Sequence, residues 1–331
     1  MGAHGDRPVI RWGIAGPGEI ATRFAEGMRE LQGGAVVAVG SRSVERAQAF
    51  AARFEIPRSF GSYEALAEDP DVDAVYVATP HSRHAADTLL FLSAGKHVLC
   101  EKPFALNTTQ AQAMIAAADA GQRFLMEAMW SRFLPAYREL RALLDEGRVG
   151  DPLLVEASFG WRGDVVPAHR HFDLDQGGGA LLDLGVYTVN LSQFVLGPVE
   201  SIVARGHVGD TGVDEHVAAV LQHADDRLGV VQAAIRTPLT CTARIACTAG
   251  VIDIPAFMHC PDHLVVVTPA GEERIDTSWD GEGLRFQVEE VHRCLAAGLI
   301  ESAVMPWSET LGIARVLDEI RAQVGVRYPG E

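Results

Sequence analysis

Val9–Ala15, VIRWGIA, runs directly into Gly16-Pro17-Gly18-Glu19-Ile20-Ala21. The first seven residues form an apolar run that predicts a strand, and Glu19–Leu31 predicts a helix. Between them Gly16 permits a tight turn, and Gly18 lets the backbone approach a pyrophosphate. Ala21 is small enough for the new helix to pack on a sheet. The helix start at Glu19 and Ile20 offers unpaired N–H groups and a favourable dipole to phosphate. The segment therefore predicts the first βαβ unit of a dinucleotide-binding domain.

The rhythm continues outward to about Met129. Ala35–Gly40, Asp73–Thr79, His97–Cys100 and Phe124–Ala128 read as strands. Val44–Phe54, Ser82–Ala94 and Thr108–Ala120 read as the intervening helices. Apolar strands without clean alternation suit a parallel sheet covered on both faces, so an α/β fold with an N-terminal Rossmann-type, doubly wound parallel sheet is expected. Ligands of such sheets bind at the carboxyl ends of the strands. The second strand ends in Val39-Gly40-Ser41-Arg42-Ser43, with no carboxylate before Glu45. A guanidinium at Arg42 with hydroxyls at Ser41 and Ser43 suits a 2′-phosphate, so NADP(H) is expected in preference to NAD(H). The third strand delivers Thr79 and Pro80, with His81 and His84 following. The fourth delivers Glu101, Lys102 and Pro103, where a cis bond is conceivable.

After a helix at Leu134–Glu146 the texture changes. Leu153–Phe159, Ser201–His207, His216–His223, Gly229–Arg236, Thr242–Thr248 and Leu264–Thr268 read as strands with antiparallel connections, such as the Asp225-Asp226 turn. A helix at Gly179–Leu196 interrupts them, and helices at Leu284–Ala297 and Ser308–Val324 close the chain. Residues 1–128 are expected to form the dinucleotide domain. Residues 129–331 are expected to form a substrate-binding and oligomerisation domain with a large, predominantly antiparallel open sheet. Its C-terminal helices are free to pack back on the first domain.

The 331 residues carry a formal charge of -16, with 44 Asp and Glu against 28 Lys and Arg. That balance disfavours nucleic acid and anionic lipid as partners. No run reaches the roughly 18 uninterrupted apolar residues of a membrane span, and no secretory h-region is visible. Five cysteines without a CxxC pair suit a reduced, cytoplasmic setting. His169-x-His171 and His259, Cys260 and His263 lack a complete zinc spacing, so no metal is expected.

Gly177–Tyr187, GGGALLDLGVY, carries the candidate proton chemistry. On one helix Asp183 and Tyr187 are i and i+4 and share a face, which Asn190 continues. Hydride transfer at a carbinol carbon requires proton transfer at its oxygen. A tyrosine beside an ammonium is the more easily ionised, so Lys102 and Tyr187 are a candidate pair, with Asp183 orienting the substrate hydroxyl. Trp130, Arg132 and Phe133 are candidates for an aromatic and cationic pocket wall. Trp161 and Arg162, with His169, His171 and Phe172, are candidates to complete it. Each has a plainer reading. Arg42 can flank a helix, His84 can be structural and Lys102 can pair with Glu101 at the surface. Trp130 and Phe133 can be core anchors, Arg162 can join a surface salt bridge, and Asp183, Tyr187 and Asn190 can form a buried network.

Taken together, GPGEIA, VATPH, CEKP, EAMWSRFLP at Glu127–Pro135, GGGALLDLGVY and the ending MPWSETLGIARVLDEIRAQVGVRYP resemble the glucose–fructose oxidoreductase/inositol dehydrogenase group, Gfo/Idh/MocA. The resemblance spans nearly the whole chain. It implies that Lys102 is the lysine of the EKP motif, and that the C-terminal sheet assembles dimers or tetramers. Inositol-acting members place His four residues after the Asp, where this chain has Tyr187. The pattern is instead similar to the subgroup of dimeric dihydrodiol dehydrogenase, NADP-dependent D-xylose dehydrogenase and glucose–fructose oxidoreductase, in which tyrosine is the acid/base. An NADP(H)-dependent oxidoreductase of a sugar, polyol or cyclic diol is the expectation. A biosynthetic ketosugar reductase, a noncatalytic NADP(H)-binding regulator and a structural oligomer subunit are the alternatives.

Overall fold

The computed structural model describes residues 9–331, which divide into two compact units. One contains residues 9–104, 110–130 and 280–307; the other contains 105–109, 131–279 and 308–331.

The first unit opens with β1 (Ile10–Ala15), α1 (Glu19–Met28), β2 (Gly34–Gly40) and α2 (Val44–Phe54). It continues with β3 (Arg58–Phe60), α3 (Tyr63–Ala67), β4 (Ala74–Val77), α4 (His84–Ser93), β5 (His97–Glu101), α5 (Thr108–Gly121) and β6 (Leu125–Ala128). Six strands lie in the order β3-β2-β1-β4-β5-β6, every neighbouring pair parallel, as a doubly wound fold requires. The reversal of order at β1 puts the crevice between β1 and β4. Neither β3 nor α3 was expected from the sequence. α1 stops at Met28, short of Leu31, because the N–H groups of Arg29, Glu30 and Leu31 turn back three residues instead of four. β4 and β6 are buried throughout. Phe24 of α1 stacks on Tyr76 of β4 with ring centroids 4.0 Å apart, which fastens the first helix to the sheet beneath the glycine turn.

The second unit contains α6 (Pro135–Asp145), β7 (Pro152–Gly160), α7 (Val186–Leu196), β8 (Val199–Val208), β9 (Asp214–His223), β10 (Leu228–Ala234), β11 (Ala243–Cys247), β12 (Val251–Ile254), β13 (His263–Thr268) and β14 (Gly271–Asp276). The chain then contributes α8 (Arg285–Ala296) to the first unit and α9 (Trp307–Val324) largely to the second. Eight strands run β14-β13-β12-β11-β7-β10-β9-β8. All neighbours are antiparallel except β7 and β10, which pair in parallel. α7 packs on the β7–β10 face. The helix expected over Gly179–Leu196 is not uniform, because Leu181–Gly185 forms a wider π turn before α7 begins.

A Cβ on Gly185 would stand 3.2 Å from Ala233 Cβ. The small residue thus lets the helix approach the sheet of its own unit closely. One helical run, residues 174–196, is long and apolar enough to span a membrane, but 94% of its most apolar window is buried as core. The opposite face of the sheet carries one cross-strand row: Val203, Val220, Val230, Glu156, Arg244, Asp253 and Val265. Of these, Val203 and Val220 are 66% and 42% exposed.

Candidate active site

The carboxyl edge of the parallel sheet gathers the sequence-identified cofactor residues. Gly16 has φ +90°, and a Cβ there would stand 2.8 Å from the carbonyl oxygen of Ala78, so glycine is required where β1 and β4 hand over to their loops. Its N–H donates to Gly40 O at 3.1 Å, tying the turn to β2. A Cβ at Gly18 meets nothing within 4 Å. α1 starts at Glu19 and Ile20 without a side-chain cap. Open space above an uncapped helix start is the geometry that accepts a pyrophosphate. Thr79 Oγ1 is buried without a partner among the described residues, an unfilled hydrogen-bonding position at the same edge. The edge therefore fits a dinucleotide.

Beyond β2 the work is divided. Ser41 is buried and its Oγ accepts from Ser43 N–H at 3.2 Å. Ser43 is the N-cap of α2, accepting from Arg46 N–H, and its hydroxyl donates to Glu45. Its place in the expected phosphate grip is thereby taken by a structural role. Arg42 is exposed and makes no hydrogen bond or ion pair among the described residues.

His84 is buried, with Nδ1 2.7 Å from Pro103 O and Nε2 2.9 Å from Thr79 O. Burial lowers the imidazole pKa, while the two carbonyls draw it back up. The ring thus joins the Thr79-Pro80 loop to the turn after Lys102. The Lys102–Pro103 peptide is cis. That turn is held further by Glu127 Oε1, which accepts Phe104 N–H at 3.2 Å, and by Glu101 Oε2, which accepts Lys102 N–H at 3.1 Å. Burial raises the Glu101 carboxyl above its usual range, against the Lys102 ammonium and a 2.5 Å hydrogen bond from Tyr76. The contact of Glu127 with Phe104 N–H, 23 residues away, has no sequence signature. Trp130 is buried in the same unit, with the Arg23 guanidinium 4.9 Å from its ring centre.

In the second unit Tyr187 and Asp183 are both buried, but their partners differ. The Tyr187 ring lies 5.0 Å from His259 and 5.7 Å from Phe159, and His259 stacks on Phe159 at 4.5 Å. Asp183 Oδ1 accepts from Arg170 at 3.1 Å, and its Oδ2 is 3.1 Å from His171 Nε2. Asn190 Oδ1 accepts from Arg132 Nε at 2.6 Å. Along this helix Asp183 thus meets Arg170 and His171, Tyr187 meets His259 and Phe159, and Asn190 meets Arg132.

Arg132 also donates to Glu309 at 2.8 Å and lies over the Phe194 ring, while Phe133 is core. The arginine thereby ties α7 to α9. Trp161 stands 5.0 Å from the His171 ring. Arg162 is exposed and bridges Arg236 through its backbone. His259, weighed in the sequence only as a metal ligand, instead walls the Tyr187 pocket. Its Nε2 is 3.4 Å from Cys260 Sγ, while His263 pairs with Asp262 and Arg274.

Residues 10–129 match a family model described as an oxidoreductase family with an NAD-binding Rossmann fold, and residues 137–253 match a GFO/IDH/MocA C-terminal domain. A trans-1,2-dihydrobenzene-1,2-diol dehydrogenase of Danio rerio is 42% identical, covering 97% of this chain and 98% of the relative. The Homo sapiens enzyme of the same name is 38% identical over the same shares. A 3-ketoreductase from Actinomadura kijaniata, solved with NADP and TDP-benzene, superposes with a TM-score of 0.86 at 26% identity, covering 96% of this chain and 98% of its own.

Proposed function

Since the chain belongs to the GFO/IDH/MocA oxidoreductase family, we propose that it is an NADP(H)-dependent dehydrogenase of a cyclic diol or sugar, with Tyr187 as acid/base and Lys102 assisting it. The observation that carries the cofactor half is the open Gly18 turn over the uncapped start of α1. NADP(H) in preference to NAD(H) is supported by Arg42, exposed and uncommitted where NAD-binding domains place a carboxylate. The relatives' name supports the diol.

The nicotinamide, when bound, supplies the hydride acceptor or donor. This chain's residues do the rest. The N–H groups at Glu19 and Ile20 and the turn at Gly16–Gly18 hold the pyrophosphate, Arg42 the 2′-phosphate, and Thr79 and Glu101 the neighbouring hydroxyls. Tyr187 takes the substrate hydroxyl proton during oxidation, and the Lys102 ammonium favours the phenolate that does so. Asp183, held by Arg170 and His171, accepts a hydrogen bond from a second substrate hydroxyl. Phe159 and His259 exclude water around the phenol.

A self-complementary row on the uncovered sheet face, apolar at Val203 and Val220 and alternating in charge through Glu156, Arg244 and Asp253, supports a homodimer through that face. The structural likeness to a ketoreductase favours one second reading, reduction of a ketosugar as the working direction. Nicotinamide absorbance followed with NADP+ and NAD+ against trans-dihydrodiols, pentoses and hexoses tests the proposal. Faster turnover of a diol with NADP+ is expected; binding of the dinucleotide without turnover of any alcohol or ketone would defeat it.

A further inference from the structure

The start of the Tyr187 helix is gripped by side chains far away in sequence. Gly177, Gly178 and Gly179 form a buried turn, with φ +77° at the first and +121° at the third. Asp214, at the head of β9, is buried, and its Oδ2 accepts from Leu181 N–H at 2.6 Å. Tyr328, also buried, donates its hydroxyl to Gly178 O at 2.6 Å. A Cβ on Gly179 would fall 2.3 Å from Asp214 Oδ1 and 3.4 Å from the Tyr328 hydroxyl, so the turn threads between the two. From the other side, Gly178 N–H donates to Asp173 O and Gly179 N–H to His171 O, both at 3.0 Å. That loop is the one that presents Arg170 and His171 to Asp183. Tyr328 is itself backed by Arg321, 4.9 Å from its ring and ion-paired with Asp318 and Glu331.

We propose that Asp214 and Tyr328 are positioning residues that clamp the triple-glycine turn and so fix where Tyr187 and Asp183 stand, an inference that rests on the acid/base reading of Tyr187. Three consecutive glycines are the most freely moving backbone a chain can have, and ordering them carries the largest entropy cost. A general base needs the opposite, since a displacement of about 1 Å can cost on the order of 100-fold in rate. The clamp is also expensive. Asp214 Oδ1 is buried without a hydrogen-bond partner among the described residues. Burial pushes the carboxyl up to about 7 even though Leu181 N–H and Arg321 pull it down. Burying an acid is costly for folding alone, whereas its contact with the helix start gives it a use.

The test compares Tyr328→Phe, Asp214→Ala, Asp214→Asn and Tyr187→Phe in the full chain. The readouts are kcat, KM for the diol, dinucleotide affinity, and hydrogen exchange at the amides of residues 181–187. Tyr328→Phe and Asp214→Ala should lower kcat by about 10- to 100-fold with dinucleotide affinity unchanged, and should speed exchange in that segment alone. Asp214→Asn, which keeps an acceptor for Leu181 N–H, should restore most of the loss. Wild-type kcat and exchange in folded Tyr328→Phe and Asp214→Ala would overturn the clamp, as would exchange accelerated equally across the whole eight-stranded sheet. Should Asp214→Ala fail to fold, Tyr328→Phe, which removes a single oxygen, decides. Full turnover in Tyr187→Phe would sink the acid/base reading alone, leaving the exchange data to judge the clamp.

Discussion

Replacing Gly18 by alanine separates binding of the dinucleotide from stability of the fold. Gly18 has φ −105° and ψ −166°, a conformation that alanine adopts without strain, and its new methyl would meet no protein atom within 4 Å. A glycine-to-alanine change at such a position stabilises the folded state by about 0.4–1 kcal/mol, because the unfolded chain loses freedom. For a domain of this size that raises Tm by about 1–4 °C. The same methyl stands where the pyrophosphate must approach. Losing one charge-assisted hydrogen bond there costs about 1.5–3 kcal/mol, or about 10- to 100-fold in affinity.

Isothermal titration with NADP+ and a thermal melt of the unliganded protein give both numbers. Gly16→Ala is the contrast, because φ +90° and a carbonyl oxygen 2.8 Å from the methyl should cost stability before any ligand is added, by at least the ~1–2 kcal/mol of a left-handed alanine. Unchanged NADP+ affinity in a stable Gly18→Ala protein would refute the reasoning, since the phosphates would then lie elsewhere.

Other consequences are as direct. Arg42→Ala should raise KM for NADP+ by about 10-fold or more and leave KM for NAD+ unaltered, the loss of one charged contact; equal changes for both would remove Arg42 from cofactor choice. Arg132→Ala should lower stability by about 1–3 kcal/mol by removing the donor that Asn190 and Glu309 share. A raised substrate KM with unchanged Tm would instead make the residue a ligand. His97 is held neutral, its pKa pushed down to about 4 by burial and by Arg123, and its Nδ1 accepts Phe124 N–H at 2.9 Å. Its contribution is complete above the unfolded pKa of about 6.5 and is lost as pH falls through about 4, so denaturant midpoints should decline across that window, and less so in His97→Gln.

The dinucleotide half was largely legible in the chain because its signals are local. A strand, a glycine turn and a helix follow one another within twenty residues, and each β-branched run ends at a residue of evident chemistry. β3 and α3 escaped notice because three and five residues are too few to show a period. β14, GEERID, escaped because it is a charged, exposed edge strand with no apolar alternation. In the second half six of the eight strands were visible, but β12, only four residues long, was not, nor was the parallel pairing of β7 with β10, since register between distant strands leaves no local trace. The π turn at Leu181–Gly185 was equally silent. Asp214 and Tyr328 meet the glycine turn from 33 and 150 residues away, which no spacing rule anticipates.

The most direct trial of the account is the single-turnover rate of diol oxidation in Tyr187→Phe with saturating NADP+. Loss of the phenolic oxygen should slow the chemical step by about 100- to 10,000-fold while NADP+ binds as before. A mutant that transfers hydride at the wild-type rate would contradict the claim that this phenol carries the proton.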